Sequence, residues 1–210
     1  MGRRCLLNIT SLLKGTINMR EVEVLVRVHD DFKKAQRLLK RHAKFEKKVE
    51  IHDVYLMDPL RKGLSPDEKG GLTEALRVRK MDDGDFLTHK IDHFNKLGEW
   101  THSDEQEVGI ASAPEMLVTF KRLGFLRLVT VDMERLYFKT PIYTITLECV
   151  QGLGLFLEVE AHPTEGREVP VVREEIKRFI KSLGFNTSED VGIGKPELLL
   201  KKRMAEQKQK

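Results

Sequence analysis

Three pairs of glutamates, each written Glu-x-Glu, mark the segments of this chain that could do chemistry. The pairs are Glu21 with Glu23, Glu105 with Glu107, and Glu158 with Glu160. Each pair lies in a run that alternates apolar and charged residues, and in a β-strand residues two apart point to the same face. Each run therefore sets two carboxylates side by side, which is costly unless they meet water, a metal ion or basic partners.

Basic side chains follow the same alternation in a predicted β-hairpin. Arg77 and Arg79 share one face of the first strand, residues 82–84 form the turn, and Lys90 lies on the return strand. Acidic rows and basic rows that face one another suit a divalent cation held by oxygen ligands together with a polyphosphate held by Arg and Lys. The alternative is an ordinary amphipathic sheet with its charged face in water.

The elements that must position these side chains follow from the hydrophobic periodicity. Strands are predicted over residues 20–29, 49–57, 74–79, 86–91, 100–110, 126–139, 142–150 and 155–161. Helices are predicted after Asp30 or Asp31 with Phe45 on the apolar stripe, from Pro114 to Leu123, and from Pro170 to Leu183. The fold class is therefore α+β. Helices that cover the apolar strand faces turn the charged faces inward, and a closed, mainly antiparallel eight-stranded barrel leaves no exposed edges.

The length of 210 residues and the lack of a clear linker favour one domain over residues 19–200. Residues 1–18 are interpreted as a disordered leader or as a mis-started segment, and a translation start at Met19 is favoured because the strand pattern begins there. Residues 201–210 are interpreted as a solvated basic tail with a frayed end.

The composition limits the cellular locations and the binding partners to be expected. With two cysteines there is no disulfide framework, so the expected location is the cytoplasm. No apolar stretch reaches eighteen residues, so no membrane span is expected. The net charge is only +4, and no basic stripe interleaved with aromatics occurs, so no nucleic-acid partner is expected.

The order of these motifs resembles the CYTH family, also called triphosphate tunnel metalloenzymes, over about residues 19–200. The family includes class IV adenylyl cyclases, thiamine triphosphatases and inorganic triphosphatases, and the cyclase branch is the most similar. The matching motifs are Glu21-x-Glu23, Asp53-x-Tyr55, Leu76-Arg77-x-Arg79, Leu87-Thr88-His89-Lys90, Glu105-x-Glu107, Arg135, Glu148 and the segment 152–160. The hairpin and the segment 152–160, which reads Gly-Leu-Gly-Leu-Phe-Leu-Glu-Val-Glu, are the most specific matches.

The resemblance implies an eight-stranded tunnel that binds Mg²⁺ or Mn²⁺ through carboxylates and a triphosphate through basic residues. The implied catalytic pair is Glu21 and Glu23. The implied metal ligands are Glu23, Glu105, Glu107, Glu148, Glu158 and Glu160. The implied phosphate ligands are Arg77, Arg79, Lys90 and Arg135, with Arg27 as a displaced substitute. The implied partner is ATP, thiamine triphosphate or tripolyphosphate, and the cyclase branch is compatible with a homodimer.

Two departures from the family pattern concern tunnel cations. Leu25 stands where the family has the Lys of Glu-x-Glu-x-Lys, and Met133 stands where a Lys commonly precedes the late Arg. Three hypotheses follow: a metal-dependent triphosphatase or adenylyl cyclase, a catalytically impaired polyphosphate- or nucleotide-binding protein, and a structural module without a tunnel ligand. The first is the leading hypothesis, and the second is the alternative, for which the two departures are the evidence.

Overall fold

The described residues form a single sheet of ten strand segments with four α-helices. The computed structural model describes residues 19–162, 164 and 166–208; the predicted leader at 1–18 lies outside them. The strands are β1 (Met19–Glu21), β2 (Glu23–Val28), β3 (Lys44–Met57), β4 (Glu74–Met81), β5 (Gly84–Phe94), β6 (Trp100–Ile110), β7 (Leu126–Lys139), β8 (Tyr143–Val150), β9 (Gly154–Ala161) and β10 (Thr187–Asp190). The helices are α1 (Phe32–His42), α2 (Ala113–Arg122), α3 (Val169–Ser182) and α4 (Lys195–Lys208).

The sheet curls until its two ends meet in one stretch of chain. The strand order is β1-β6-β5-β4-β3-β7-β8-β9-β2-β10, and the pairings are antiparallel. Only Val22 separates β1 from β2, so β1 pairs with β6 while β2 pairs with β9. These two segments act as one interrupted strand, which confirms the predicted eight-stranded barrel. The short β10 is an unpredicted addition on the far end of β2.

The alternating pattern sorts the strand residues between an outer core and the lumen. Val22, Val24, Val26 and Val28 are buried outside the barrel in one cluster with residues of α1 and α3, such as Leu39. A second outer cluster packs α2 on β3 and β4. Helices cover the apolar face, as predicted, and leave the charged face to the lumen.

The helix boundaries differ from the prediction at Phe45. Helix α1 begins after Asp31, whose side chain accepts a hydrogen bond from the backbone N–H of Lys34, and ends at His42. Phe45 instead lies in β3, opposite Phe138 in β7, with the two ring centroids 5.4 Å apart. The long pairing of β3 with β7 decides this boundary, because tertiary pairing overrides helical periodicity.

Helix α4 packs near one end of the barrel, and it replaces most of the predicted tail. The lumen at this end is apolar, because Leu25, Met133 and Phe156 are buried there in one cluster with Leu199 of α4. The expectation of a frayed basic tail is therefore corrected for residues 201–208, which form the last turns of α4. Within the described part of the chain, no helix is long and apolar enough to cross a membrane.

Candidate active site

A cavity of about 300 Å³ lies in the lumen, and its walls are strongly charged. Among the described residues, the basic side chains that line it are Arg77, Arg79, Lys90, Arg135 and Lys195. The lining carboxyl groups are Glu21, Glu23, Asp53, Asp92, Glu105, Glu107, Glu158, Glu160, Asp190 and Glu197. Ten carboxyl groups therefore face five basic groups, and this excess of oxygen donors suits an added cation.

Lys90 lies between carboxylates from different strands. Its Nζ is 2.9 Å from Oε2 of Glu21, 3.3 Å from Oε1 of Glu23 and 3.5 Å from Oε2 of Glu105. Burial alone would lower the pKa of Lys90, but Glu23, Glu21 and Glu105 together raise it well above its ordinary value. One ammonium group is thus shared by three carboxylates.

Two of the three carboxyl groups in this cluster, Glu21 and Glu23, hold protons more tightly than ordinary glutamates, whereas burial at Glu105 is outweighed by Lys90 and Arg77, which lower its pKa. Burial, assisted by Glu105 and Glu23 and opposed by Lys90, raises the pKa of Glu21 to about 8. Burial likewise raises the pKa of Glu23 to about 7, with Lys90 opposing and Glu158 assisting. These shifts agree with the raised pKa of Lys90, because each carboxylate receives only a share of the one positive charge.

The two arginines of the hairpin differ in the number of carboxylates that each contacts. Arg79 donates from Nε and Nη2 to the two carboxylate oxygens of Asp53, both at 2.7 Å, in a buried bidentate pair. Burial would raise the pKa of Asp53, but Arg79 and Arg77 lower it below its ordinary value. Arg77 instead spans Asp53 at 3.9 Å, Glu105 at 3.8 Å and Glu107 at 3.3 Å. Arg77 is therefore the more adaptable of the two.

A second charged cluster lies on the other side of the lumen. Arg135 pairs with the fully buried Glu148, and Lys195 reaches both Glu148, at 2.8 Å, and Glu158. Burial would raise the pKa of Glu158, but Lys195 and Arg135 lower it. Helix α4 therefore places the ammonium group of Lys195 at the lumen wall.

Of the twelve residues that the sequence singles out, the fold brings ten to the cavity. The remaining two are Arg27 and Glu148, which do not line it. The guanidinium of Arg27 lies over the ring of Phe156, 4.7 Å from its centroid, and donates to the carbonyl of Leu153. Glu148 lies behind the wall, where it holds Arg135 and Lys195. Their predicted roles as phosphate and metal ligands have no support from this placement.

Sequence reasoning missed two basic residues, Lys195 and Arg173. Lys195 begins α4 and is followed by Pro196 and Glu197, a helix-start signal that the basic run after it obscured. Arg173 in α3 donates to the backbone carbonyl of Glu23 at 2.9 Å, and it lies over the ring of Trp100, 4.7 Å from its centroid. It anchors the strand that carries Glu23, and no local pattern marks it.

Comparison with known proteins identifies the family. The model of the CYTH domain matches residues 19–191. The chain belongs to the CYTH family. This assignment confirms the resemblance read from the motifs, and it implies triphosphate binding and dependence on a divalent metal ion.

Individual CYTH proteins agree with this assignment. "Putative adenylate cyclase MJ0240" of Methanocaldococcus jannaschii is 33% identical over 183 residues, which cover 87% of this chain and 99% of that protein. The structure of the PH1819 protein from Pyrococcus horikoshii OT3 has a TM-score of 0.70 at 27% identity and covers 86% and 99% of the two chains. A Hippeastrum adenylyl cyclase homologue, whose structure is described as revealing a dominant triphosphatase activity, has a TM-score of 0.61 at 19% identity over 87% and 95% of the chains. At that identity, the last likeness shows the fold alone.

The carboxylates of this CYTH tunnel fit the divalent ion that the family implies. Mg²⁺ and Mn²⁺ prefer oxygen ligands. The cluster around Lys90 offers oxygens from Glu21, Glu23 and Glu105, and two of these groups have pKa values raised by burial and by their carboxylate neighbours. A divalent cation relieves that repulsion more effectively than a single ammonium.

We expect Mg²⁺ to raise the Tm of this protein more at about pH 9 than at about pH 6, because protons and the cation compete for the same carboxylates. The pKa values of Glu21 and Glu23, about 8 and about 7, lie above the ordinary 4.5. The metal-free native state therefore binds more protons than the unfolded chain in this window. Stability from these two groups is fully present below pH 4.5 and is lost as the pH rises through 7 to 8.

Calorimetric scans with and without Mg²⁺ at each pH measure this difference. The double variant Glu21→Gln/Glu23→Gln should show a smaller, pH-independent effect. An equal rise in Tm at both pH values in the native protein would contradict the assignment.

Proposed function

We propose that this protein is a metal-dependent triphosphatase, which removes the terminal phosphoryl group of a triphosphate inside the barrel. The observation that carries the proposal is the arrangement of five basic groups and ten carboxyl groups around one cavity. Phosphoryl transfer depends mainly on positioning and on electrostatic stabilisation of the phosphate oxygens. The cavity offers both kinds of group that this chemistry needs.

The two sets of residues have separate roles in this proposal. Arg77, Arg79, Lys90, Arg135 and Lys195 bind phosphate oxygens. Glu23, Glu105, Glu107, Glu158 and Glu160 hold the divalent ion, with Glu21 beside them. The ion, Mg²⁺ or Mn²⁺, supplies neutralisation of phosphate charge when bound. Glu21 and Glu23 have pKa values near neutrality, so they can accept a proton from a water in the cavity.

The size of the cavity favours a compact substrate. About 300 Å³ is at the small end of the range of ligand pockets, about 300–1,000 Å³. An inorganic triphosphate chain is smaller than ATP or thiamine triphosphate, which add a bulky organic group. Tripolyphosphate is therefore the first candidate substrate.

Adenylyl cyclase activity is the second candidate, as the name of the Methanocaldococcus relative suggests. Trp100, Phe94 and Leu72 line part of the cavity and provide apolar surface against which a base could stack. In a cyclase, the ribose 3′-hydroxyl attacks the α-phosphorus, and pyrophosphate is released.

The decisive experiment measures phosphate, pyrophosphate and cyclic AMP released from tripolyphosphate, ATP and thiamine triphosphate with Mg²⁺ or Mn²⁺. Phosphate release, fastest from tripolyphosphate, supports the triphosphatase. Pyrophosphate with cyclic AMP supports the cyclase instead. Calorimetric binding of tripolyphosphate without turnover would indicate a binding protein. Cytoplasmic location and homodimerisation remain predictions for fractionation and sedimentation.

Lys195 can compensate for one of the two family lysines that this chain lacks, because its positive charge lies near Leu25. Leu25 lies opposite Glu158 in the pairing of β2 with β9, and Lys195 contacts that same carboxylate. We expect Lys195→Met to weaken tripolyphosphate binding by about 10- to 100-fold, since a charged hydrogen bond contributes about 1.5–3 kcal/mol. Titration calorimetry measures the change in Kd.

A rescue variant tests whether tripolyphosphate binding depends on the positive charge of Lys195 or on the packing of α4. Adding Leu25→Lys to Lys195→Met returns a cation beside Glu158 and should recover part of the affinity. Lys202→Met, on the exposed surface of the same helix, is the control and should change Kd little. If Lys195→Met binds tripolyphosphate as tightly as the native protein does, Lys195 has no part in phosphate binding.

A further inference from the structure

The outer face of the hairpin formed by β5 and β6 carries three potential metal ligands that the tunnel does not use. His93 and His102 lie directly opposite each other, and their rings stack with centroids 4.5 Å apart and 7° between the planes. Asp104 follows two residues along β6, on the same face as His102. Its Oδ2 is 2.8 Å from Nε2 of His93. The three side chains point away from the lumen. Residues that alternate with them on these strands, such as Asp92 and Glu105, line the lumen instead.

The donors form a compact set. One ligand atom from each residue lies within 4.8 Å of the other two, and all three residues are half-buried. Zinc bound at about 2.0–2.2 Å to nitrogen and oxygen places ligand atoms about 3.3 Å apart in a tetrahedron. Metal binding therefore requires side-chain rotations that bring the three ligand atoms to that spacing. Two imidazoles with one carboxylate suit Zn²⁺, Co²⁺ or Ni²⁺, whereas Mg²⁺ prefers oxygen alone.

We propose that His93, His102 and Asp104 bind one transition-metal ion of the Zn²⁺ class on the outer wall of the barrel, separate from the ion in the tunnel. An ion pair alone does not need the second imidazole: His52 and Asp132 form such a pair, at 2.6 Å, on the outer surface. Two stacked imidazoles repel each other if both are protonated, whereas a shared metal uses a lone pair from each. The half-exposed position leaves a coordination site for water.

A metal at this position joins β5 to β6 immediately behind two residues that face inward. Asp92 precedes His93, and Ser103 lies between His102 and Asp104. The side chains of Asp92 and Ser103 are hydrogen-bonded to each other and to Nε1 of Trp100. Ligation therefore fixes the wall that carries Trp100, and it should raise Tm, because an ion that binds only the folded state stabilises that state.

The test is calorimetric titration of the chelator-treated full-length protein with ZnCl₂ in excess MgCl₂, which occupies the oxygen ligands of the tunnel. One Zn²⁺ per chain is expected. His93→Gln and His102→Gln should each weaken binding about 100-fold, the upper end of losses seen when the partners of metal ligands are removed. Co²⁺ should give visible absorption bands that both variants lose.

Two control variants separate this site from other Zn²⁺ binding. His52→Gln removes a histidine from a matched exposed pair and should leave the Kd for Zn²⁺ unchanged, as should Glu21→Gln/Glu23→Gln in the tunnel. Circular dichroism of each metal-free variant checks folding, and Asp104→Asn serves as a third ligand variant. Zn²⁺ binding that survives His93→Gln, His102→Gln and Asp104→Asn, or that fails in the native protein, overturns the proposal.

Discussion

Replacing Lys90 by Met should lower kcat/KM for tripolyphosphate by about 100-fold or more, the loss typical when one charge-stabilising donor is removed from an active site. The ammonium of Lys90 is within 3.5 Å of carboxylates of Glu21, Glu23 and Glu105. Without it, the phosphate loses a ligand and three carboxylates repel both one another and the substrate. Steady-state phosphate release at fixed Mg²⁺ measures the effect.

The same variant should also make stability depend more strongly on metal. Removing one partner of a buried ion pair typically costs about 3–5 kcal/mol, because the remaining charge is left uncompensated. Mg²⁺ can replace part of the lost positive charge, so the rise in Tm with Mg²⁺ should be larger in Lys90→Met than in the native protein. Lys80→Met, at an exposed position of the neighbouring strand, is the control. An unchanged kcat/KM in Lys90→Met would show that Lys90 takes no part in substrate binding or catalysis.

Asp53→Leu should lower the free energy of unfolding by about 3–5 kcal/mol, the typical cost of leaving one charge of a buried pair alone. Asp53 is fully buried, and both of its oxygens accept from Arg79 at 2.7 Å. The substitution leaves the Arg79 guanidinium without that partner in a buried setting. Urea denaturation measures the change.

The double variant Asp53→Leu/Arg79→Met should be more stable than Asp53→Leu alone, since replacing both charges by apolar groups avoids the unpaired charge. It should nevertheless lack triphosphatase activity, because Arg79 is a proposed phosphate ligand. Asp132→Asn, on the exposed outer surface of the neighbouring strand, should change stability by no more than about 0.5 kcal/mol. A double variant less stable than Asp53→Leu would show that the pair contributes more than the compensation of charge.

The sequence by itself determined the barrel and most of its charged lining. Val22, Val24, Glu21 and Glu23 alternate, and a period of two assigns opposite faces to them wherever the strand lies in the fold. The same local rule placed Arg77 on the lumen face. Because the alternation is a property of the strand alone, ten of the twelve predicted residues line the cavity.

Only the tertiary structure decided which charges meet and how the lumen is divided. Phe45 lies in β3 and not in the predicted helix, because β3 pairs with β7. No local sequence pattern could indicate this pairing between distant segments. Leu25 and Met133 are not simply missing cations, since they belong to the apolar cluster that Leu199 of α4 completes. Lys195 contacts Glu158 from 37 residues away. Such contacts depend on where separate elements pack, and periodicity within one element carries no information about its distant neighbours.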